Sequence, residues 1–314
     1  MWIRPPALIH PTSYHTFVSV GWIKRSESTF IIYKKLGMLP KEYDTIMEKE
    51  LKPEIVKPDE AVYTIYKYAK LDSTNGFLRQ HCSALADYSV IWANEQTHGR
   101  GRFTRVWNSV PGQDLTFSIL LPLSSLEHRL RQNITQVAAL SVAQLLEGYG
   151  LKPSVKWPND VLVQGRKISG ILCEIVKSKK NVYGILGIGI NVNSTEESLA
   201  FIGIPATSLR CELRQKVIRL ELFKKLLEII INCFNVLCQS GFTQNRLEIK
   251  KRLAFINEQI VFADVKQESY SGRIIDLNDD GTLLFKCEKR GIINLNSGEI
   301  AFNNLYTNPN ESEL

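Results

Sequence analysis

Cysteine is scarce in this chain: six residues among 314, at positions 82, 173, 211, 233, 238 and 287, with no Cys-x-x-Cys pair. So sparse a set excludes a disulfide scaffold, and its spacing gives no zinc site. Reduced thiols in a cytoplasmic setting are the expectation. Long hydrophobic runs are missing too. The most apolar stretch, 226–237, is too short to span a bilayer and is interrupted by Glu228, Asn232 and Asn235. The opening residues hold Arg4 but then Pro5, Pro6, His10, Pro11 and Ser13, so no continuous apolar core makes a secretory signal. Internal repeats are absent, as is the pair of short amphipathic helices that would form a DNA-reading helix-turn-helix. What is present is ordinary for a globular protein. Apolar residues make up 44% and charged residues 23%, enough apolar side chain to offset the ordering entropy of a folded core.

The charge is mildly positive, with 39 Lys+Arg against 32 Asp+Glu and a net +7, but it is unevenly spread. Residues 1–37 hold five basic groups and one acidic, 38–60 hold four and seven, and 61–314 hold 30 and 24. Such a field attracts nucleic acid, phosphate-bearing ligands or an acidic protein surface, and composition does not choose among them.

Four segments follow from texture. Residues 1–60, punctuated by Pro, His and Ser and then by alternating charge, read as a loosely ordered extension, or as one shortened by a start at Met38 or Met47 rather than Met1. Residues 61–256 read as a mixed α/β domain. Strands are expected over 62–68, 88–93, 115–121, 156–163, 168–176 and 182–192. Asp72-Ser73-Thr74-Asn75 offers helix-capping side chains. Helical spacing covers 130–149, and a long helix carries Phe223, Leu226, Leu227, Ile230, Ile231, Phe234 and Leu237. Residues 257–303 break into short strands around the turn Asn278-Asp279-Asp280-Gly281 and read as a small β-barrel. Residues 304–314 are left as a tail.

Three stretches carry possible chemistry. In Gln96-Thr97-His98-Gly99-Arg100-Gly101-Arg102-Phe103-Thr104-Arg105-Val106-Trp107, arginine forks suited to phosphate or carboxylate stand on a backbone that glycines free for close approach. An RNA-binding surface loop fits the same residues. The loop is neither a Walker loop, lacking Gly-Lys-Ser/Thr, nor a dinucleotide fingerprint, lacking the third glycine where Thr104 stands. Lys156-Trp157-Pro158-Asn159-Asp160 precedes a hairpin that carries Arg166-Lys167 to the mouth of an apolar strand, where Lys167 is either an anion-facing charge or simply solvated. Gly187-Ile188-Gly189-Ile190-Asn191 marks close approach of a ligand or another backbone, and Asn191 offers a carbonyl oxygen to a metal or a hydroxyl.

Taken together, in this order and with Ser73-Thr74-Asn75 upstream, the stretches resemble the biotin protein ligases. The family motifs are Ser-Thr-Asn, Gly-Arg-Gly-Arg-x-Gly-Arg-x-Trp, Lys-Trp-Pro-Asn-Asp and Arg-Lys-x-x-Gly-Ile. The resemblance covers residues 63–302 and departs at Thr104, which replaces the last glycine of the loop motif. It implies an α+β, mixed-sheet biotin/lipoate ligase-like catalytic domain with a small C-terminal SH3-like β-barrel. The implied activity is ATP-dependent: biotin is activated as biotinyl-5′-AMP, with Mg²⁺, and passed to a lysine of a biotin carboxyl carrier domain. By motif position, Ser73, Thr74, Asn75 and Gln96 would bind biotin, with Arg100, Gly101, Arg102 and Lys167 closing on it. Arg100, Arg102, Lys167 and Asn191 would bind ATP, Lys167 and Arg102 would be the catalytic pair, and Asp160 would hold Mg²⁺. Trp107 would pack at the base of the closed loop or in the core. The resemblance further implies no DNA, no membrane and, as in many relatives, a homodimer.

Overall fold

The structure, a computed structural model, describes residues 54–56, 63–178, 181–264 and 268–300. The expectations for the possible start sites, for most of the 1–60 extension and for the 304–314 tail lie outside these residues.

The chain divides between Pro53 and Glu54. Upstream of the domain start expected at residue 61, Glu54–Val56 (β1) pairs antiparallel with Thr64–Tyr68 (β2) as an edge strand. Only Ile55 and Val56 are apolar there, and flanking prolines and charges hide so short a strand in the sequence.

An eight-stranded mixed sheet forms the body, in the order β1-β2-β3-β4-β8-β7-β6-β5. Its further strands are Ser89–Ala93 (β3), Leu115–Pro122 (β4), Pro153–Lys156 (β5), Asp160–Val163 (β6), Arg166–Ser178 (β7) and Asn181–Ile190 (β8). Only β2 and β3 run parallel, joined by the crossover helix Thr74–His81 (α1), and every other pairing is antiparallel. Strands β3 and β4 are buried along almost their whole length because both faces of the sheet are covered. Alternation fixes which side chain meets which layer. Ser118 of β4 faces α1 through Asn75, while its neighbour Phe117 faces the long helix Arg219–Ser240, where Phe223 packs 4.8 Å from both Phe117 and Trp92.

The helical periodicity expected over 130–149 resolves into a 3₁₀ turn, His128–Asn133, followed by α2, Ile134–Glu147. The chain continues through α3 (Glu196–Leu199), α4 (Leu209–Leu213), the long helix α5 (Arg219–Ser240) and α6 (Thr243–Lys250). Helix α5 buries Phe223, Leu226, Leu227, Ile230, Phe234 and Leu237 of the stripe its sequence marks, adds Leu222, leaves Ile231 only half-buried, and packs on α2.

The last strands form a five-stranded antiparallel sheet of the SH3-like kind, in the order β12-β11-β10-β9-β13: Gln259–Ala263 (β9), Ser269–Leu277 (β10), Leu283–Cys287 (β11), Gly291–Leu295 (β12) and Glu299–Ile300 (β13). The hairpin turn falls where Asn-Asp-Asp-Gly predicts it, with Gly281 at φ 88° and Asn278 closing on Thr282. The small sheet does not stand apart. Phe262, Ile274 and Phe285 belong to the same buried cluster as the main sheet, and Trp157 Nε1 donates to the Gly281 carbonyl at 2.9 Å.

Candidate active site

A cavity of about 850 Å³ opens on the α1 side of the sheet, roofed by the Arg-rich loop and rimmed by the small sheet. All ten residues singled out from the sequence line it: Ser73, Thr74, Asn75, Gln96, Arg100, Gly101, Arg102, Asp160, Lys167 and Asn191.

One end is built by the start of α1. Ser73 caps the helix, its Oγ accepting from Gly76 N at 3.2 Å. Gln96 is drawn in from the strand end by the backbone N–H of Thr74, which donates to Gln96 Oε1 at 2.8 Å, and by the Thr74 hydroxyl at 3.1 Å. These hydroxyls and amides can both donate to and accept from a polar ligand. Gly187 makes room for them: a Cβ there would lie 2.2 Å from Asn75 Oδ1.

The middle of the cavity holds the charge. Lys167 Nζ lies 2.7 Å from Asp160 Oδ1 and 5.8 Å from the centre of the Trp107 ring. Backbone register explains why Lys167 reaches Asp160 at all. The β6–β7 pairing shifts between Val161 and Leu162, so that Asp160 pairs with Gly170 but Leu162 pairs with Lys167. Without that bulge Lys167 would share the face of Val163 and Val161, and with it the lysine shares the face of Asp160. Beneath them Lys156, one of the largest fully buried side chains, stands 3.9 Å from Asp160 and 3.8 Å from Glu299. Burial lowers its pKa to about 8 against the opposing pull of those two carboxylates. Asn191, which also lines the cavity, is fixed by Nδ2, which donates to the Thr207 carbonyl at 2.9 Å, while its Oδ1 is buried without a protein partner.

The loop lies folded over this floor. Trp107 N donates to Gly99 O and Gly101 N to Arg105 O, closing a tight lobe. Arg102 Nη1 donates to Asn159 Oδ1 at 3.2 Å and to the Gly298 carbonyl at 3.1 Å, and Arg105 pairs with Glu299. Burial lowers the pKa of Arg102, opposed by Glu299 and Asp160. The Trp107 ring fills the space left by two strand glycines, since a Cβ on Gly189 would meet it at 2.2 Å and one on Gly170 at 2.9 Å.

Several contributors to the site were not assigned a role from the sequence. Ser118 of β4 braces Thr74 and Asn75 from behind the cavity wall, and Glu174 of β7 pairs with Arg100 of the loop. Lys156 and Asn159, in the Lys-Trp-Pro-Asn-Asp stretch, support the site through Asp160 and Arg102 respectively. Glu299 and Asp264 reach the cavity from the small sheet, which no local pattern reveals.

Among the described residues no group of three or more His, Cys, Asp or Glu could hold a metal ion. Asp160 turns to Lys167 and Lys156, a donor set that suits an ion pair and does not fit a resident Mg²⁺.

The cavity thus joins a cluster of hydroxyl and amide groups to a cationic centre around Lys167. Residues 68–191 match the biotin/lipoate A/B protein ligase family. A solved biotin protein ligase from Aquifex aeolicus, in complex with biotin and ATP, is 30% identical, with a TM-score of 0.65 over 76% of this chain and 97% of that one. The biotin–[acetyl-CoA-carboxylase] ligase of Paracoccus denitrificans is 29% identical over 69% of this chain and 92% of its own. The bifunctional ligase/repressor BirA of Bacillus subtilis is 30% identical over 68% of this chain, and the match spans 65% of that relative's length. The chain belongs to the biotin/lipoate A/B protein ligase family.

Proposed function

We propose that this protein is an ATP-dependent biotin protein ligase. On this reading the biotin carboxylate attacks the α-phosphorus of ATP, pyrophosphate leaves, and biotinyl-5′-AMP forms. The ε-amine of one lysine on a biotin carboxyl carrier domain then attacks the acyl carbon, an amide forms and AMP leaves. The observation that carries the reading is that Lys167, paired with Asp160 at 2.7 Å, lines one cavity together with the hydroxyls and amides of Ser73, Thr74, Asn75 and Gln96 and with Asn191.

Each group then has a physical task. Thr74 and Gln96 hydrogen-bond the ureido ring. Lys167, held in place by Asp160, neutralises the charge that gathers where carboxylate and α-phosphate meet. Arg100, Gly101 and Arg102 cover the mixed anhydride and keep water from it. Asn191 Oδ1 accepts from a hydroxyl or amine of the nucleotide. Mg²⁺ enters, on this reading, as the counter-ion of the ATP phosphates, and no step is routed through it. The reading needs no DNA and no membrane, and among the described residues no helix is long and apolar enough to cross one. The expected cytoplasmic location and homodimer belong to the proposal, and light scattering on the purified chain tests the latter.

Transfer of labelled biotin to an apo carrier domain, with ATP present and absent, is the direct test. Lys167→Ala is expected to slow adenylate formation by on the order of 10²-fold or more, the cost of one preorganised charge at a developing anion. Saturation by lipoate in place of biotin would transfer the assignment to the lipoyl branch of the family. Normal turnover by Lys167→Ala would remove that lysine from the mechanism.

A further inference from the structure

Glu174 lies on β7, away from the cavity lining, and only 13% of its side chain is exposed. An acidic residue so placed needs partners, and it has three from two separate elements. Asn75 Nδ2 of α1 donates to its carboxylate at 3.0 Å, Arg79 of the same helix pairs with it, and Arg100 of the loop reaches it at 3.2 Å. Asn75 is in turn tied to the ring pocket. Ser118 Oγ lies 2.6 Å from Asn75 Oδ1 and 2.7 Å from Thr74 Oγ1, and Thr74 bonds Gln96. A continuous polar chain therefore runs Gln96–Thr74–Ser118–Asn75–Glu174–Arg100.

We propose that Glu174 is a positioning residue that latches the loop: its carboxylate, held by α1, keeps Arg100 folded over the cavity and so retains the activated intermediate. This rests on the ligase reading and adds to it a residue that touches no substrate. The geometry favours a latch over a simple brace between helix and strand. Asn75 and Arg79 already satisfy a brace, and the third donor comes from a segment whose other anchors, Arg102 and Arg105, lie on the opposite rim at Gly298 and Glu299. Glu174 on one side and Gly298 with Glu299 on the other thus fasten the loop at two points.

Two readouts on the full-length chain test the latch, using Glu174→Gln, Glu174→Asp and Arg100→Gln. The first is the dissociation half-time of labelled biotinyl-AMP from the enzyme without acceptor. Glu174→Gln is expected to shorten it about tenfold, the order of one partly screened charge-assisted hydrogen bond. Arg100→Gln should do the same, the double variant should be no worse than either single, and Glu174→Asp should recover part of the loss. The second readout is the rate of tryptic cleavage within the loop of the ligand-free protein, which Glu174→Gln should raise. Unchanged half-time and cleavage in Glu174→Gln would overturn the latch. So would a loss that follows melting temperature alone and is absent from Arg100→Gln. A wild-type chain that forms no biotinyl-AMP would overturn the ligase reading instead, and the cleavage rates alone would then decide the latch.

Discussion

Two glycines on β8 show how a single missing side chain shapes the cavity. Gly187 faces Asn75 and Gly189 faces the Trp107 ring, each so closely that a Cβ would stand 2.2 Å from its neighbour. A strand glycine ordinarily weakens a sheet, and here it admits a functional side chain instead. Gly187→Ala should push Asn75 off Ser118 and distort the ring pocket. Calorimetric titration with biotin should show a marked loss of affinity, with a stability cost of about 1–3 kcal/mol from overpacking. Gly189→Ala should displace Trp107, dislodging the base of the loop, and should lower adenylate formation more than stability. Wild-type affinity in Gly187→Ala would mean that Asn75 does not shape the biotin site.

At the scale of elements, the loop over 96–107 couples the main sheet to the small one, and its contacts differ in weight. Arg105 is 62% exposed where it pairs with Glu299, so the pair is screened and holds its partners loosely. A double-mutant cycle of Arg105→Ala with Glu299→Gln, read by urea unfolding, should return a coupling below about 1 kcal/mol. A value well above that would mean the pair is far less hydrated than its exposure implies. Much of this element was legible beforehand, because the arginine and glycine spacing is dense and local. Its anchoring was not, since Gly298 and Glu299 lie some two hundred residues away in sequence and carry no pattern that points back. The bulge that turns Lys167 toward Asp160 was equally hidden, because it is set by how β6 and β7 pair and not by the residue pattern of either strand. Thr104, where the family motif has glycine, proves undemanding. The left-handed residue in this loop is Phe103, at φ 58°, so a β-branched side chain at 104 meets no such strain.

The whole molecule meets at Lys156, where β5, β6 and β13 converge and the two sheets share one buried core. This also revises the meaning of the net +7, since one of its charges is spent inside, between Asp160 and Glu299, rather than on a surface field. Burial outweighs those carboxylates and lowers the lysine's pKa to about 8, whereas in the unfolded chain the ordinary value of 10.5 returns. Between these values the unfolded chain holds a proton that the folded chain has released, so this group makes stability rise with pH across that window. Below about 8 both states are protonated and the full desolvation penalty is in force. Lys156→Met removes the titration while keeping much of the volume. Urea unfolding of both proteins from pH 7.5 to 10 should show the wild type gaining on the variant as pH rises, with a limiting slope of about 1.4 kcal/mol per unit. Loss of the same proton strips Asp160 and Glu299 of a shared cation, so ligase activity in the wild type should decline over the same range even as the fold gains. Parallel stability curves would show that the lysine is hydrated, and activity that holds to pH 10 would show that the Asp160–Lys167 pair stands without it.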